Sequence, residues 1–566
     1  MSVIYRSDQS VFSFASGEGY PDYISAIDDA GDWTALINMA NDLPVGSRGI
    51  TFDGASGTLA AGNYIALGGT ATGNYELRKV ASLGTYNGTG ATGTIFLDAP
   101  TGFSHLDNEA IDEKVSTLNN LAGDSLVTFI PGAWESISAP DMTPEITPYY
   151  FLGTSSDRNF TVAYRGKQAF SGSVPNFILL NGFPLRFPIG RVRTVATAVS
   201  GGSSTVSQTG GTRVGQRYVT VAGASTFANG EFVEIEWSGT NPEVRQIISG
   251  GGTTTLIIDY PLQIAHANGV TVSECTASTT FTHTIISDFG LPAMSWNILM
   301  RDSSETVAND FLRRYFGGKV GRATISAEEG GMLRMSWDEV QFLGLLHNQR
   351  YHEDVGGGTT DITRYTGSLI DPTQESSDFQ AVGGSRPHSG GALGEASYPT
   401  TEPYYFSQGS ITYFGQTLAR IRNFSIEINN NLDPRYYIAN EYFNRSPYEI
   451  LERRREYKMS ATIAMPDSIA TTATTPTLWK ELLLEGVYGT AMQGFDITLT
   501  FTRGTSDTIT ITIPPSAAAT GINANGSFIL RAPHNINPDE NPVQVPVEIL
   551  FRDLSIVIVD SIGTYC

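Results

Sequence analysis

A mainly β fold is what this sequence predicts, and three observations predict it. Gly accounts for 60 of 566 residues and charged residues for only 16%, below the roughly 25% usual in soluble domains. Apolar residues recur with period two rather than 3.6. One strand-and-turn pattern of roughly 65 residues also occurs twice. With abundant Thr and Ser, this composition suits short strands joined by tight turns. Hydrophobic residues make up 40% of the chain, enough to build buried cores. The length allows roughly two to four domains.

The repeat is the clearest feature of the N-terminal half. Residues 45–56 (Val-Gly-Ser-Arg-Gly-Ile-Thr-Phe-Asp-Gly-Ala-Ser) align without a gap on 214–225 (Val-Gly-Gln-Arg-Tyr-Val-Thr-Val-Ala-Gly-Ala-Ser). Segments 62–67, 74–80 and 94–100 then answer 230–235, 241–247 and 255–261, and His105 and His266 fall five residues past the matched prolines Pro100 and Pro261. Within 230–236, Phe232 and Glu234 share one strand face, Val233 and Ile235 the other. Gly54, Gly223, Gly62 and Gly230 stand where tight turns need positive φ. Each copy therefore reads as a small β-barrel or sandwich, near the lower size limit for independent folding. Two copies far apart are not a solenoid but one module inserted twice into a host fold.

The expected organisation follows. Residues 1–44, 114–190, 276–346 and 404–566 form the host core. Residues 45–113 and 191–275 are the two modules, and 347–403 is a flexible Gly/Ser-rich loop. Within the core, residues 33–40 read as a helix, and so do 477–485, stopped by Gly486. Strands are expected around 125–130 and 160–164, at 496–501 and 508–513, and over 546–559. An apolar run covers 176–180. Residues 295–337 and 424–464 share a loose pattern of one strand, a polar excursion and longer strands, which suggests two related sheets or barrels.

Charge and motifs exclude more than they assign. Lys+Arg number 35 against 57 Asp+Glu, a net charge of −22; such a surface repels phosphate and disfavours tight nucleic-acid binding. Only six of the basic residues are Lys (Lys79, Lys114, Lys167, Lys319, Lys458, Lys480), leaving 29 Arg. Sparse Lys with abundant acid suits a high-salt environment and equally a GC-rich gene. Cys275 and Cys566 make neither a disulfide framework nor a zinc site. No apolar run resembles a signal peptide or reaches the roughly 18 residues of a membrane span, so synthesis in the cytoplasm and no membrane partner are expected.

No catalytic, cofactor or metal site is expected. His347 and His352, with Glu353 and Asp354, lack the i, i+4 spacing that presents two histidines to one ion. Glu328–Glu329 and Asp338–Glu339 are adjacent pairs, which a strand sends to opposite faces, so neither can flank a glycosidic bond alone. Gly250-Gly-Gly and Gly356-Gly-Gly lack the following Lys-Ser/Thr of a phosphate cradle. The recurrent His105 and His266 suit a shared turn or strand-end role. Arg453, Arg454 and Arg455, interleaved with Glu449, Glu452 and Glu456, suit an ion-paired subunit contact better than a phosphate site. Glu328 and Glu329 are further candidates for a subunit contact.

Residues 422–438 (Arg-Asn-Phe-Ser-Ile-Glu-Ile-Asn-Asn-Asn-Leu-Asp-Pro-Arg-Tyr-Tyr-Ile), 445–457 and 318–333 together resemble the major tail tube proteins of long, non-contractile-tailed, siphovirus-like viruses. The helix expected at 477–485 follows the second of these segments, as in that family. The similarity covers 290–345 and 410–560 well and 120–190 loosely; the modules and the 347–403 loop depart from it. The resemblance implies a structural, non-enzymatic virion protein with a tail-tube β-barrel or sandwich core. It implies rings, of three chains with pseudo-sixfold symmetry or of six, stacked helically into a conduit for the genome. Implied partners are further copies of the chain, the tape measure, tail terminator and distal tail proteins, and viral DNA passing without specific binding. A tail-fibre or adhesion protein whose modules bind host glycans through Tyr64, Tyr75, Phe232 and Trp237 is the alternative.

Overall fold

Thirty-five strands, labelled β1 to β35 in chain order, dominate the computed structural model. It describes residues 5–16, 30–114, 128–129, 136–150, 160–302, 311–347, 352–361, 402–437, 447–464, 497–513, 527–531 and 544–565, apart from gaps of one to seven residues within these ranges. Alternation is the cause. In β31 (Ile497–Arg503) the residues Ile497, Leu499 and Phe501 are buried, with threonines between them facing outward; in β32 (Asp507–Ile513) Ile509, Ile511 and Ile513 do the same. Such strands bury one face and present the other.

The host core is two sheets over one apolar interior. The larger has 12 strands, in the order β33 (Ser527–Arg531), β34 (Gln544–Phe551), β30 (Glu456–Ala464), β27 (Ile421–Asn429), β20 (Phe311–Glu328), β19 (Met294–Asp302), β1 (Tyr5–Ser16) and β8 (Thr128–Phe129). Beside this path, β21 (Arg334–Gln341) and β22 (Gly344–His347) pair with β20, and β10 (Val162–Ile178) joins β21 to β9 (Ser138–Tyr149). The smaller sheet runs β11 (Gly190–Ala196), β18 (Phe281–Ser287), β35 (Ser555–Asp560), β32, β31, β25 (Gly409–Tyr413) and β26 (Gln416–Leu418). A single buried cluster spans both, from Phe14, Trp296, Ile426 and Val547 to Ile285, Leu499, Ile511 and Ile556. Trp337 is its hub, with Phe14, Phe177, Phe187 and Trp296 rings 5.1, 5.3, 5.9 and 6.1 Å away. The two similar segments lie side by side in one sheet, since β20 pairs with β27 from Arg322↔Asn429 to Glu328↔Asn423.

The first repeat is a closed barrel of β2 (Ala30–Ile37), β3 (Gly49–Ser56), β6 (Gly93–Leu97), β5 (Glu76–Ser82), β4 (Tyr64–Leu67) and β7 (Ala110–Lys114). The second orders β12 (Val199–Thr205), β17 (Thr271–Cys275), β14 (Phe232–Ile235), β15 (Glu243–Ser249), β16 (Thr255–Ile258) and β13 (Tyr218–Thr220) the same way. The bridge Val206↔Val221 and the bonds Ser207 N–H to Thr220 O (2.8 Å) and Ala222 N–H to Thr205 O (2.9 Å) close its ring.

Their registers coincide. Gly49↔Phe96 answers Tyr218↔Ile257; Tyr64↔Lys79 answers Phe232↔Gln246; Ala30↔Lys114 answers Val199↔Cys275. Even the bulge between Val80 and Ser82 reappears between Ile247 and Ser249. Buried positions match as well, Ile37, Ile50, Ile65, Leu67, Ile95 and Ile111 answering Val206, Val219, Val233, Ile235, Leu256 and Val272.

Several expectations are corrected here. Residues 33–40 are not a helix: β2 covers most of them, with Trp33, Ala35 and Ile37 buried and Thr34 and Leu36 exposed. Period two wins because β2 closes the barrel between β3 and β7. The barrels start at Ala30 and Val199, whereas Arg191 lies in β11 of the host sheet. The strand expected over 546–559 is two, β34 and β35, separated by a turn. Gly54 and Gly230 have φ of 62° and 92°, but Gly223 is not left-handed. Residues 477–485 and Cys566 lie outside the described residues, as does most of 347–403 except the hairpin β23 (His352–Val355)–β24 (Gly358–Asp361). The helix that is described, α1 (Arg186–Ile189), has four residues, and no described helix is long and apolar enough to cross a membrane.

Both barrels sit at the tips of paired host strands. β1 pairs with β8 on either side of the first barrel, Phe14↔Phe129. β11 pairs with β18 on either side of the second, Ala196↔Phe281, and the ladder runs on through Thr197 N–H to Thr280 O and Thr276 N–H to Ala198 O into β12–β17.

Candidate assembly surface

The most exposed apolar side chains cluster on one projecting element. β10 has 17 residues. Its inner part, Ser171 to Ile178, pairs with β21, whereas from Val162 to Ala169 it pairs only with β9. On this outer hairpin Ile146, Tyr149, Tyr150, Phe160 and Tyr164 are 46–67% exposed. Tyr149 lies opposite Val162 and Tyr164 opposite Thr147, so both rings share a face, and they meet edge-on at 5.3 Å. At the root, the Tyr436 hydroxyl donates to Gln168 O (3.1 Å) and Lys167 lies over the Tyr436 ring.

β9 carries Pro140, Pro144 and Pro148. Proline has no N–H to offer a neighbouring strand, so it belongs on edges and keeps them from adding strands. Contact with another molecule would run through the aromatic face rather than through strand addition.

The arginine run lies elsewhere, beside the small hairpin β28 (Asp433–Arg435)–β29 (Glu449–Leu451). Arg453 pairs with Asp433 while its side chain stays 59% exposed. Arg454 is exposed, and its carbonyl accepts from Asn431 Nδ2 (2.7 Å). Arg455 turns inward, donating to Asn430 Oδ1 (2.6 Å) and the Tyr457 hydroxyl (3.2 Å). The interleaved acids pair with other groups: Glu452 takes Lys319 (2.8 Å), Glu449 accepts from the Tyr437 hydroxyl (2.7 Å) and Glu456 faces Lys458. Burial opposes ionisation of Glu452, but the Lys319 bond outweighs it and holds the carboxyl below its ordinary value. Glu328 ends β20, and Glu329 follows in the turn, exposed and paired with Arg422 (3.1 Å). The two groups lie at opposite ends of β27, roughly 25 Å apart at the usual strand rise, so the fold does not bring them together.

Side-chain clusters elsewhere serve structure. Thr194, His283 and Asp560 form a hydroxyl–imidazole–carboxylate chain, at 2.9 Å to Nδ1 and 3.3 Å to Nε2. None of the three is more than 6% exposed; Tyr565 stacks on the imidazole at 3.7 Å and bonds Asp560, pinning the last described residues to the small sheet. Burial and Asp560 hold the Tyr565 hydroxyl well above its ordinary value. His105 and His266 bond the backbones of the equivalent residues Leu43 and Thr212, and their buried rings meet Glu109 (3.1 Å) and the pair Glu236 and Glu243 (3.1 Å each).

Asp338 sits at a bulge in β21, not at a strand end, and accepts from Thr324 (2.6 Å); Glu339 accepts from Gln341. No group of metal-ligating side chains occurs among the described residues, and the side chains of His347 and His352 lie outside them. Phe232 and Trp237 are partly buried against a cluster of Ala196, Val244, Cys275 and Phe281. Tyr64 and Tyr75 lie outside what is described of side chains.

Among the described residues the geometry is mainly β: curled sheets around one core, with two barrels carried on paired strands. Residues 357–545, a third of the chain, match the family model described as phage tail tube protein, which supports a non-enzymatic component of the virion tail. The match starts within the Gly-rich stretch and ends at the start of β34. No curated protein matches the chain.

Proposed function

We propose that this chain is the major tail tube subunit of a siphovirus-like particle, assembling into stacked rings through which the genome passes into the host cell. The family match over 357–545 carries the reading. The width of the 12-stranded sheet favours three chains per ring with pseudo-sixfold symmetry; six chains is the other arrangement. The net charge of −22 suits a lumen along which DNA slides without specific binding. The aromatic face of the β9–β10 hairpin is the foremost contact between copies, with Arg453, Arg454, Arg455, Glu328 and Glu329 as ion-paired contacts at the rim. The barrels decorate the outside. Tape measure, tail terminator and distal tail proteins are the other partners, with synthesis in the host cytoplasm. The low Lys content fits a halophilic host.

Purified protein concentrated across a range of salt should form rings or tubes in negative-stain micrographs, and their symmetry fixes the copy number. Compact monomers under every condition would sink the proposal. Replacing Tyr149 and Tyr164 by Ser should abolish tubes while leaving the folded monomer intact. The adhesion reading rests on the duplicated barrels alone; virions lacking one barrel that still adsorb normally rule it out.

A further inference from the structure

Strand β14 faces two ways. Val233 and Ile235 fill the second barrel, while Phe232 and Glu234 face the host sheet. Glu234 is wholly buried there. Its Oε2 accepts from the Ala196 N–H of β11 (2.8 Å), and its Oε1 has no hydrogen-bond partner. An unpartnered carboxylate oxygen in an apolar seat is costly, whereas the protonated carboxyl is far less so. The first barrel supplies the control. In the shared register Glu234 answers Ala66, which is also buried, so the barrel fold itself does not need the carboxyl.

We propose that Glu234 is a proton-linked latch between the second barrel and the small host sheet, closed when the carboxyl is protonated and loosened when it ionises. Charged and titratable groups surround it on every packed element. From β11, the Ala196 N–H bond and then exposed Arg193 favour ionisation but only partly offset burial, and Arg191 is turned to Asp288. On β17, Ser273 lies opposite Glu234 and Glu274 opposite Val233 on the barrel side, while burial and the two glutamates push the Cys275 thiol up to about 12, so it stays neutral. On β15, Val244 faces Glu234, while Glu243 and Arg245 pair on the opposite side and engage His266. Glu236, in the turn that follows β14, is held by His266. His283 of β18 is bonded to Thr194 and Asp560.

Burial raises Glu234 from 4.5 to about 7. A group raised in the closed state stabilises it fully below the open-state value and loses that effect as pH rises through the closed-state value. The Ala196 amide reports the latch directly, because its N–H is bonded to Glu234.

The test is hydrogen exchange of the full chain from pH 4 to 8.5, corrected for intrinsic rates, with amides of the first barrel as internal reference. Protection at Ala196 should fall about tenfold per pH unit between the ordinary carboxylate range and about 7, then level off. Glu234→Gln should abolish the slope. Should that variant misfold, Glu234→Ala, which restores the residue of the first barrel, carries the same expectation. A flat wild-type profile overturns the latch, and so does an equal slope in either variant.

Discussion

The two barrels share every strand register yet differ in what fills them. The first is stabilised by an aromatic centre. Trp33 is fully buried, donates from Nε1 to the Tyr86 hydroxyl (2.9 Å) and meets Phe52 edge-on at 5.2 Å. At the matching position the second barrel has Gly202, where a Cβ would run into the Glu274 carboxylate. Its buried Arg245, paired to Glu243, and the Glu243 bond to His266 fall where the first barrel keeps Glu76, buried Arg78 and buried His105, so the charged positions are shared and the aromatic centre is not. The comparison teaches that backbone register is specified by turns and alternation, which both copies keep, while the packing at individual positions is free to diverge.

The largest expected effect breaks the aromatic side. Trp33→Ala should destabilise the first barrel by about 3–5 kcal/mol, through a cavity and a stranded tyrosine hydroxyl. Exchange protection should collapse across β2–β7 and persist across β12–β17; equal loss in both barrels would show that they unfold as one. Arg245→Met strikes the charged positions. It leaves Glu243 buried without its cation, at a cost of roughly 3 kcal/mol, and denaturant unfolding followed at the second barrel should record it.

Acid sharpens the contrast further. Burial opposes ionisation of Glu243 and Glu236, but Arg245 and His266 on the first, and His266 with backbone N–H groups on the second, hold both carboxyls below their ordinary value. Groups depressed in this way stabilise above the ordinary carboxylate range and lose that effect as pH falls through their folded values. The second barrel should therefore lose protection on acidification below about pH 4, opposite in sign to the latch at Glu234. The smallest effect compares two matched glycines. Gly54→Ala places a side chain at φ 62° and should cost about 1 kcal/mol, whereas Gly223→Ala, in open space without positive φ, should be neutral. Differential scanning calorimetry resolves the pair.

Most of the β architecture was legible because period-two alternation and turn glycines are local signals. The repeat was legible for the same reason, though only from residue 45 onward. Its first strand was misread because Trp33, Leu36, Ile37 and Ala40 also satisfy helical spacing, and the matching stretch 199–206 shares almost no chemistry with 30–37. β9 escaped because three prolines argue against a strand unless it is known to be an edge. Glu234 was placed on the correct face, but that this face is buried depends on the host sheet beneath it, which no local pattern reports. The arginine run was visible, and its partners were not: Asp433, Asn430 and Tyr457 reach it only through the fold.

The placement of the second barrel on a hairpin tip has an engineering consequence. For the second barrel the chain leaves and rejoins the host core at the paired residues Ala196 and Phe281. Cα atoms so paired stand about 4.5–5.5 Å apart, a span that a two-residue reverse turn closes. The second barrel is thus a removable cartridge. Asn-Gly in place of 197–280 should leave a hairpin that still packs on the small sheet, and the same socket should accept a foreign domain whose own ends lie side by side.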